Sequence, residues 1–392
     1  MVAPAGMPAK TDVLSVDTGE RRTILEGAIG AQYLTTGHLT YIRHGTLFAQ
    51  SFDPRTFRFT GPAIRVLDRV GSGLAAQPFY AASANGTLVY HPGDVLMAWS
   101  EMFWSAGGVE EEFRAPPGYY ADPSLSPDGR LLAANPYYEG KQQVWVHDFA
   151  RGTWTQLTHG VFGAAPVWYP DDARGIIFTS PAPGHPGLDL FMMPADGSGA
   201  ARLLHASAYP KYATSAAPGA GLVAFVEIRP ETKQDVWLLD LNGKPTARPF
   251  LQTPFVEGCP ALSPDGRWIA YGSNESGRAE IYVRPVSGAA RKWLLSTDGG
   301  GKPRWSRDGQ RILYHSPKGI MVVNVTTDDS FSADKPRILV EGQFPFHGVA
   351  AEYDVSADGR RALLIRPVKD QPGVPLVVVQ NWFTELERGL RQ

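Results

Sequence analysis

The chain has 392 residues, with 37 Lys and Arg against 39 Asp and Glu and a formal net charge of −2. That near balance, with 19% of residues charged, argues against a basic surface for nucleic acid. A single cysteine, Cys259, excludes an internal disulfide, and the longest apolar run, residues 374–379, is strand length rather than membrane-helix length.

The 42 glycines and 33 prolines point to many tight turns. Residues 1–10 are small, rich in Ala and Pro, and lack a secretory pattern, so they read as a disordered arm. Residues 12–17 and 21–25 read as two strands around Thr18-Gly19. Their first two partners are missing, which leaves an open edge to cover. A first complete repeat spans about 31–70, with strands at 38–42 and 46–50. The next, about 77–117, turns at Ala84-Asn85-Gly86 and has an irregular outer half holding Met97, Trp99, Met102, Phe103 and Trp104 before Glu110 to Glu112. Core packing of outer strands is the plain reading of these aromatics, and an exposed contact patch is the alternative.

Regular repeats follow. LSPDGRLLAANP at 125–136 precedes QVWVHD at 143–148, and VWYPDDARGIIFTS at 167–180 precedes LDLFMMP at 188–194. A fifth repeat has a degenerate turn, Ala217-Pro218-Gly219, then LVAFVE and DVWLLD. The sixth, residues 257–301, is the cleanest, with Ser263-Pro264-Asp265-Gly266 between its first two strands. PRWSRDGQRILYHS at 303–316 and EYDVSADGRRALLIR at 352–366 carry the last two turns, before PLVVVQNW at 375–382. Residues 383–392 read as a short helical tail.

Each run is too short to be a helix with its own buried face, and each is bounded by turn residues. The turn recurs at Gly37, Gly86, Gly129, Asp172, Gly219, Gly266, Gly309 and Gly359, spaced by 43 to 50 residues. Four short strands per repeat cannot bury both faces alone, so neighbours must stack. The expectation is an all-β chain forming one domain over 11–392. It would be a closed β-propeller of eight four-stranded antiparallel blades, with seven blades as the alternative. Closure would join residues 353–365 with residues 12–25 in one terminal blade.

The SPDGR-hydrophobic turn, followed by Asp/Glu-hydrophobic-Trp/Tyr-hydrophobic in the next strand, resembles the TolB-type, WD40-like propeller repeat. TGHLTYIRHGTLFAQSFDPRTFRFTG at 36–61, SPDGRWIAYGSNESGRAEIYVRPV at 263–286 and the closing NWFTELERG are similar to the propeller region attached to bacterial eukaryotic-like serine/threonine kinases. That resemblance implies a sensor or binding module for a protein, peptide or small polar ligand. It implies placement outside the cytoplasm, with a kinase and membrane anchor upstream in a longer parent protein. This chain itself has no Gly-rich nucleotide loop followed by lysine, no His-Arg-Asp segment and no Asp-Phe-Gly.

The sequence offers no nucleophile elbow, no histidine pair at metal-ligand spacing and no sign of a cofactor. Asp128, Asp265, Asp308 and Asp358 recur at one repeat position and read as turn residues; S-P-D-G alone supplies too few oxygens for calcium. The better place for a ligand is near the axis, at the first strands. Gln77, Tyr119, Tyr120, Asp122, Tyr169, Lys211, Tyr212, Glu257, Lys302, Arg304, Glu352 and Tyr353 gather there. Tyrosines give apolar area with a hydroxyl, and the charges would fix orientation. The plainer reading is that these groups pair with one another across the channel. A second surface is the loops after the second strands, with Tyr137, Tyr138, His185, Glu231, Glu275 and Arg278. Non-catalytic binding is the first expectation. A hydrolase or lyase using channel acids, and a purely structural interaction module, are the alternatives.

Overall fold

A computed structural model describes residues 10–71, 78–93, 100–116, 118–138, 141–159, 162–170, 174–185, 187–288, 291–328, 330–342, 344, 352–368 and 376–389. The chain forms two compact units, Met1–Ala98 with Asp370–Gln392, and Trp99–Lys369. Among the described residues it is all-β apart from the helix Trp382–Gly389. No helix among the described residues is long and apolar enough to cross a membrane.

Among the described residues the larger unit holds six antiparallel sheets of four or five strands, here A to F, and a two-stranded ribbon, Tyr137–Tyr138 with Lys141–Gln142. Sheet A runs Ser124–Leu125, Leu131–Ala134, Trp145–Asp148, Thr153–Gln156; sheet B runs Ala164–Trp168, Gly175–Pro181, Leu188–Pro194, Arg202–His205. Sheet C runs Lys211–Ala217, Leu222–Arg229, Lys233–Asp240, Thr246–Leu251; sheet D runs Glu257–Leu262, Trp268–Ser273, Glu280–Pro285, Trp293–Leu294. Sheet E runs Gly301–Trp305, Arg311–Ser316, Gly319–Thr326, with Ser332–Ala333 and Arg337–Glu341 both pairing its third strand. Sheet F runs Tyr353–Val355, Ala362–Pro367, Ser100–Ala106, Val109–Phe113. The first strand of each sheet neighbours that of the next, and the first strand of F neighbours that of A.

The turn between first and second strands is built the same way in A, D, E and F. Gly129, Gly266, Gly309 and Gly359 all sit at positive φ, between 62° and 71°. An L side chain there would be strained, so glycine is the residue the turn requires. Asp128, Asp265, Asp308 and Asp358 each accept a hydrogen bond from the serine two residues earlier and another from the backbone N–H two residues on.

Sheet F departs from the expected closure. Residues 353–365 do not pair with residues 12–25. Ala362–Pro367 pairs with Ser100–Ala106, while Lys10–Leu14 pairs only with Arg21–Glu26 in a separate hairpin. The physical reason lies in the alternation of residues 100–106. Met102 packs with Leu125, Leu132 and Leu363, and Phe103 with Leu313, Ile320 and Leu364. One strand thus fills both gaps beside sheet F. The irregular outer half of the second repeat is irregular because it completes a different sheet.

The smaller unit has a four-stranded sheet (Ile29–Tyr33, His38–Arg43, Thr46–Asp53, Arg58–Leu67) and a three-stranded one. In the latter, Val377–Val379 takes the third-strand place beside Leu88–Tyr90, which pairs Tyr80–Ala82. Trp382 and Leu386 of the helix pack against Leu47, Val70 and Leu88. The eight turn signals of the sequence therefore divide two to the smaller unit and six to the larger.

Candidate ligand-binding cavity

The first strands of the larger unit share a local device. Asp122, Ala165, Cys259 and Lys302 adopt φ of 48°, 49°, 48° and 55°, and each precedes a proline. The ladder slips at this point in sheets B, D and E, between Ala164 and Val167, Gly258 and Ala261, and Gly301 and Arg304. A bulge of this kind re-aims the following side chains. A non-glycine residue in the left-handed region costs about 1–2 kcal/mol. Four repeats carry that cost at one position.

Beyond the bulge, neighbouring first strands are stitched together. The Trp168 indole N–H donates to Ser124 C=O at 2.7 Å, and that of Trp305 to Ala261 C=O at 3.0 Å. Leu262 N–H donates to Ser215 Oγ at 2.9 Å. Between sheets F and A the matching bond is Leu125 N–H to Asp354 Oδ2 at 2.6 Å, and the Arg307 guanidinium donates to Leu125 C=O.

Inside these strands lies a cavity of about 310 Å³. Its walls are mixed, polar and apolar in about equal part: the apolar part comes from Pro127, Pro170, Pro218 and Pro264 of the turns, with Trp168 and Trp305. Its charges are concentrated in Arg304, Arg307, Asp354 and Asp122, and Ser124, Thr214 and Ser215 add hydroxyls. Arg304 Nε lies 4.0 Å from Asp354 Oδ1, with side-chain exposures of 15% and 14%. Burial pushes the Asp354 carboxyl up, opposed by Arg304 and by Leu125 N–H. Burial also pulls the Arg307 guanidinium down, opposed by Asp354. The Cys259 thiol on the cavity wall is pushed up to about 11 by burial, so it is a poor nucleophile near neutral pH.

The sequence-predicted residues separate into groups. Asp122, Tyr169 and Arg304 line the cavity, and Gln77 lies outside the described residues. Lys302 and Glu352 form a buried ion pair at 2.5 Å, and Tyr353 Oη donates to Lys302 C=O at 2.6 Å. Tyr120 Oη donates to Pro116 C=O at 2.6 Å. Tyr119 forms a backbone bridge with Tyr137. Tyr119 and Tyr212 are both pushed up to about 12 by burial, with Glu352 and Asp122 adding for Tyr119 and Asp122 for Tyr212. Lys211 is fully buried, its Nζ 2.8 Å from Asp189 Oδ1, and Glu257 is buried at the equivalent start of sheet D. Of the loop residues, His185 Nδ1 lies 3.0 Å from Asp189 Oδ2, Arg278 bonds Glu280, and Lys292 bonds Glu275.

Arg307 and Asp354 were missing from the sequence reading, although both had a signal. Arg307 stands where other turns have Pro127, Pro170, Pro218 and Pro264, so Ser306-Arg307-Asp308-Gly309 gives up a rigid residue for a cation. Asp354 occupies the place of Ser124, Val167, Ser215 and Ala261 in the other first strands.

No protein-family model matches the chain, and no curated protein sequence matches it. Solved structures do. A TolB-type protein from Agrobacterium tumefaciens is similar at 17% identity and a TM-score of 0.54, over 70% of this chain and 100% of that one. TolB from Acinetobacter baumannii is similar at 14% identity and a TM-score of 0.48, over 79% of each chain. An oligogalacturonate lyase from Vibrio parahaemolyticus is similar at 11% identity and a TM-score of 0.40, over 82% of this chain and 98% of that one. At these identities the likeness is one of fold: the chain has the sheet architecture of a TolB-type β-propeller.

Proposed function

We propose that the larger unit is a six-bladed propeller ring that binds, without catalysis, a small polar ligand or peptide end bearing an anionic group. The ligand's anion would meet Arg304, and its apolar body the proline wall. The observation that carries this reading is the placement of Arg304. Ser215 and Asp354, at the matching position of their own first strands, are used to bond the next strand. Arg304 bonds the C=O of its neighbour Pro303 and lies 4.0 Å from the Asp354 carboxyl, whose Oδ2 is already held by Leu125 N–H. Among the described residues Arg304 thus makes no close side-chain ion pair and faces the cavity, where a partner's anion could reach it. A cavity near 300 Å³ is large enough for a small ligand, and this one sets proline and tryptophan surface beside convergent charged groups. A sensor role of the kind found beside bacterial kinases would fit such a site.

Trp168 and Trp305 line the cavity and supply a readout. Titrating dicarboxylates and acidic tripeptides should change tryptophan fluorescence saturably. Arg304→Met should weaken that binding by about 10- to 100-fold, the worth of one charge-assisted hydrogen bond of about 1.5–3 kcal/mol. Equal affinity in the variant would remove the site from this cavity.

A further inference from the structure

Sheets B, C and D give the same corner twice with opposite charge. At the corner between B and C, the loop Ser207 to Lys211 brings the lysine onto the third-strand acid of sheet B. Lys211 Nζ sits in an oxygen cage: Asp189 Oδ1 at 2.8 Å, and the carbonyls of Tyr209 at 2.7 Å, Leu188 at 3.3 Å and Ser207 at 3.5 Å. At the corner between C and D the loop is Thr253 to Glu257, and its fold is the same. Tyr209 N–H donates to Ser207 Oγ at 3.2 Å, and Phe255 N–H donates to Thr253 Oγ1 at 3.1 Å. The third-strand acid is again present, as Asp235. The residue in the lysine's place is Glu257.

This second corner is short of positive charge. Glu257 is 2% exposed and Asp235 is 0% exposed, yet Glu257 Oε2 and Asp235 Oδ1 are buried without a hydrogen-bond partner. Their other oxygens are used. Thr253 Oγ1 donates to Glu257 Oε1, and Thr232 Oγ1 and Gln252 Nε2 donate to Asp235 Oδ2 at 2.7 and 3.3 Å. Arg229 approaches from one side, its Nε 4.0 Å from Asp235 Oδ2. It is already bonded to Glu227 at 2.8 Å and lies against the rings of Tyr209 and Trp237. Glu275 adds negative charge beside Glu257 and is itself bonded by Lys292. A buried carboxylate oxygen without a partner is costly, and two close enough to repel are more so.

We propose that this corner is a binding site for a divalent, oxygen-seeking cation of the calcium type, held where the neighbouring corner holds Lys211 Nζ. Asp235 and Glu257 supply the two charges. Among the described residues no group of three or more His, Cys, Asp or Glu side chains could hold a metal, so the further ligands would be neutral oxygens, backbone carbonyls first, and water. The carbonyls equivalent to those around Lys211 belong to Gln234, Thr253 and Phe255. Two carboxylates with several carbonyls and water suit calcium, which takes six to eight oxygens in flexible geometry, better than magnesium, which requires a near-ideal octahedron. The site stands apart from the cavity around Arg304 and does not depend on it.

The test uses the intact chain, stripped with a chelator and dialysed, then titrated with calcium chloride while the melting temperature and the binding heat are read. Wild type should gain stability saturably with one calcium per chain, and magnesium should do much less. Glu257→Gln and Asp235→Asn should each weaken calcium binding at least tenfold. Glu257→Lys, which rebuilds the Lys211 arrangement, should melt higher than stripped wild type and ignore calcium. If Glu257→Lys fails to fold, the two neutral variants still decide. The proposal is overturned if calcium up to about 5 mM, beyond the weak end of protein calcium sites, leaves wild type unchanged. It is also overturned if Glu257→Gln and Asp235→Asn respond as wild type does. A stripped protein that gains stability only on acidification and never with calcium would show a proton shared between the carboxyls, which also overturns it.

Discussion

The corner at Lys211 and the corner at Glu257 have one backbone and opposite chemistry. Both use a Ser/Thr turn, a third-strand acid and a buried first-strand charge. At the first, Lys211 pairs Asp189 Oδ1 at 2.8 Å, and Asp189 Oδ2, without a hydrogen bond, has His185 Nδ1 3.0 Å away; at the second, two carboxylates keep unpartnered oxygens with no lysine between them. The repeat therefore fixes where a side chain points, and leaves open what that side chain does. Function in such a chain lies in the departures from its own repeat.

The largest expected effect breaks the satisfied corner. Lys211→Met removes the cation and leaves Asp189 buried beside the half-exposed His185 imidazole. Stranding one member of a buried pair costs about 3–5 kcal/mol. Urea unfolding should show that loss, whereas Glu257→Gln in chelator should be neutral or stabilising, since it removes an unmet charge. Equal losses in the two variants would mean that the corners are not chemically different.

Much of the architecture was legible in the sequence, because turn chemistry is local. Asp265 and Gly266 announce their turn whatever lies around them. The pairing of Ser100–Ala106 with Ala362–Pro367 was not legible, because nothing local to either strand names a partner some 260 residues away. The candidate cavity was half legible. Arg304, Asp122 and Tyr169, named for their place at the first strands, line it. Lys302, Glu352 and Tyr353 shared that place, but burial turned them to one another. Arg307 was visible as a proline lost from a turn, and Asp235 was hidden within a repeat position that is acidic in three sheets.

Acid should separate the two kinds of buried titrating group. His147 is held below its usual range by burial, partly opposed by Asp148, and it sits against Phe113, Phe149 and Trp154 with Nδ1 unpartnered. A base with a lowered folded pKa binds fewer protons folded than unfolded. Its contribution to stability is therefore present above about pH 6.5, the unfolded value, and is lost as the pH falls from there through the folded value. Glu257 is the reverse. Burial, with Asp235 and Glu275 adding, raises it above 4.5. Its contribution is full below 4.5 and is lost as pH rises through the folded value. In urea midpoints measured against pH in chelator, His147→Phe should flatten the loss below pH 6.5 by up to about 1.4 kcal/mol per pH unit. Glu257→Gln should lessen the loss of stability as the pH rises above 4.5. Curves parallel to wild type would show that neither group carries the linkage.

The smallest contrast concerns two tryptophans of equal exposure. Trp268 and Trp305 are both 8% exposed and pack in the same cluster between sheets D and E. The Trp305 indole N–H donates to Ala261 C=O across the seam, whereas the Trp268 indole N–H is buried with no partner. Replacing either with Phe removes a similar volume of ring. Trp305→Phe also removes a cross-strand bond, whereas Trp268→Phe removes a polar group that had none. A buried hydrogen bond lost on one side, and a desolvated donor relieved on the other, should separate the two variants by about 1–2 kcal/mol, with Trp305→Phe the less stable. Both substitutions leave the turns and the corner charges intact, so their difference isolates the seam. If the two midpoints coincide, packing alone holds sheets D and E together, and the recurring indole-to-carbonyl bond of Trp168 and Trp305 contributes geometry without stability.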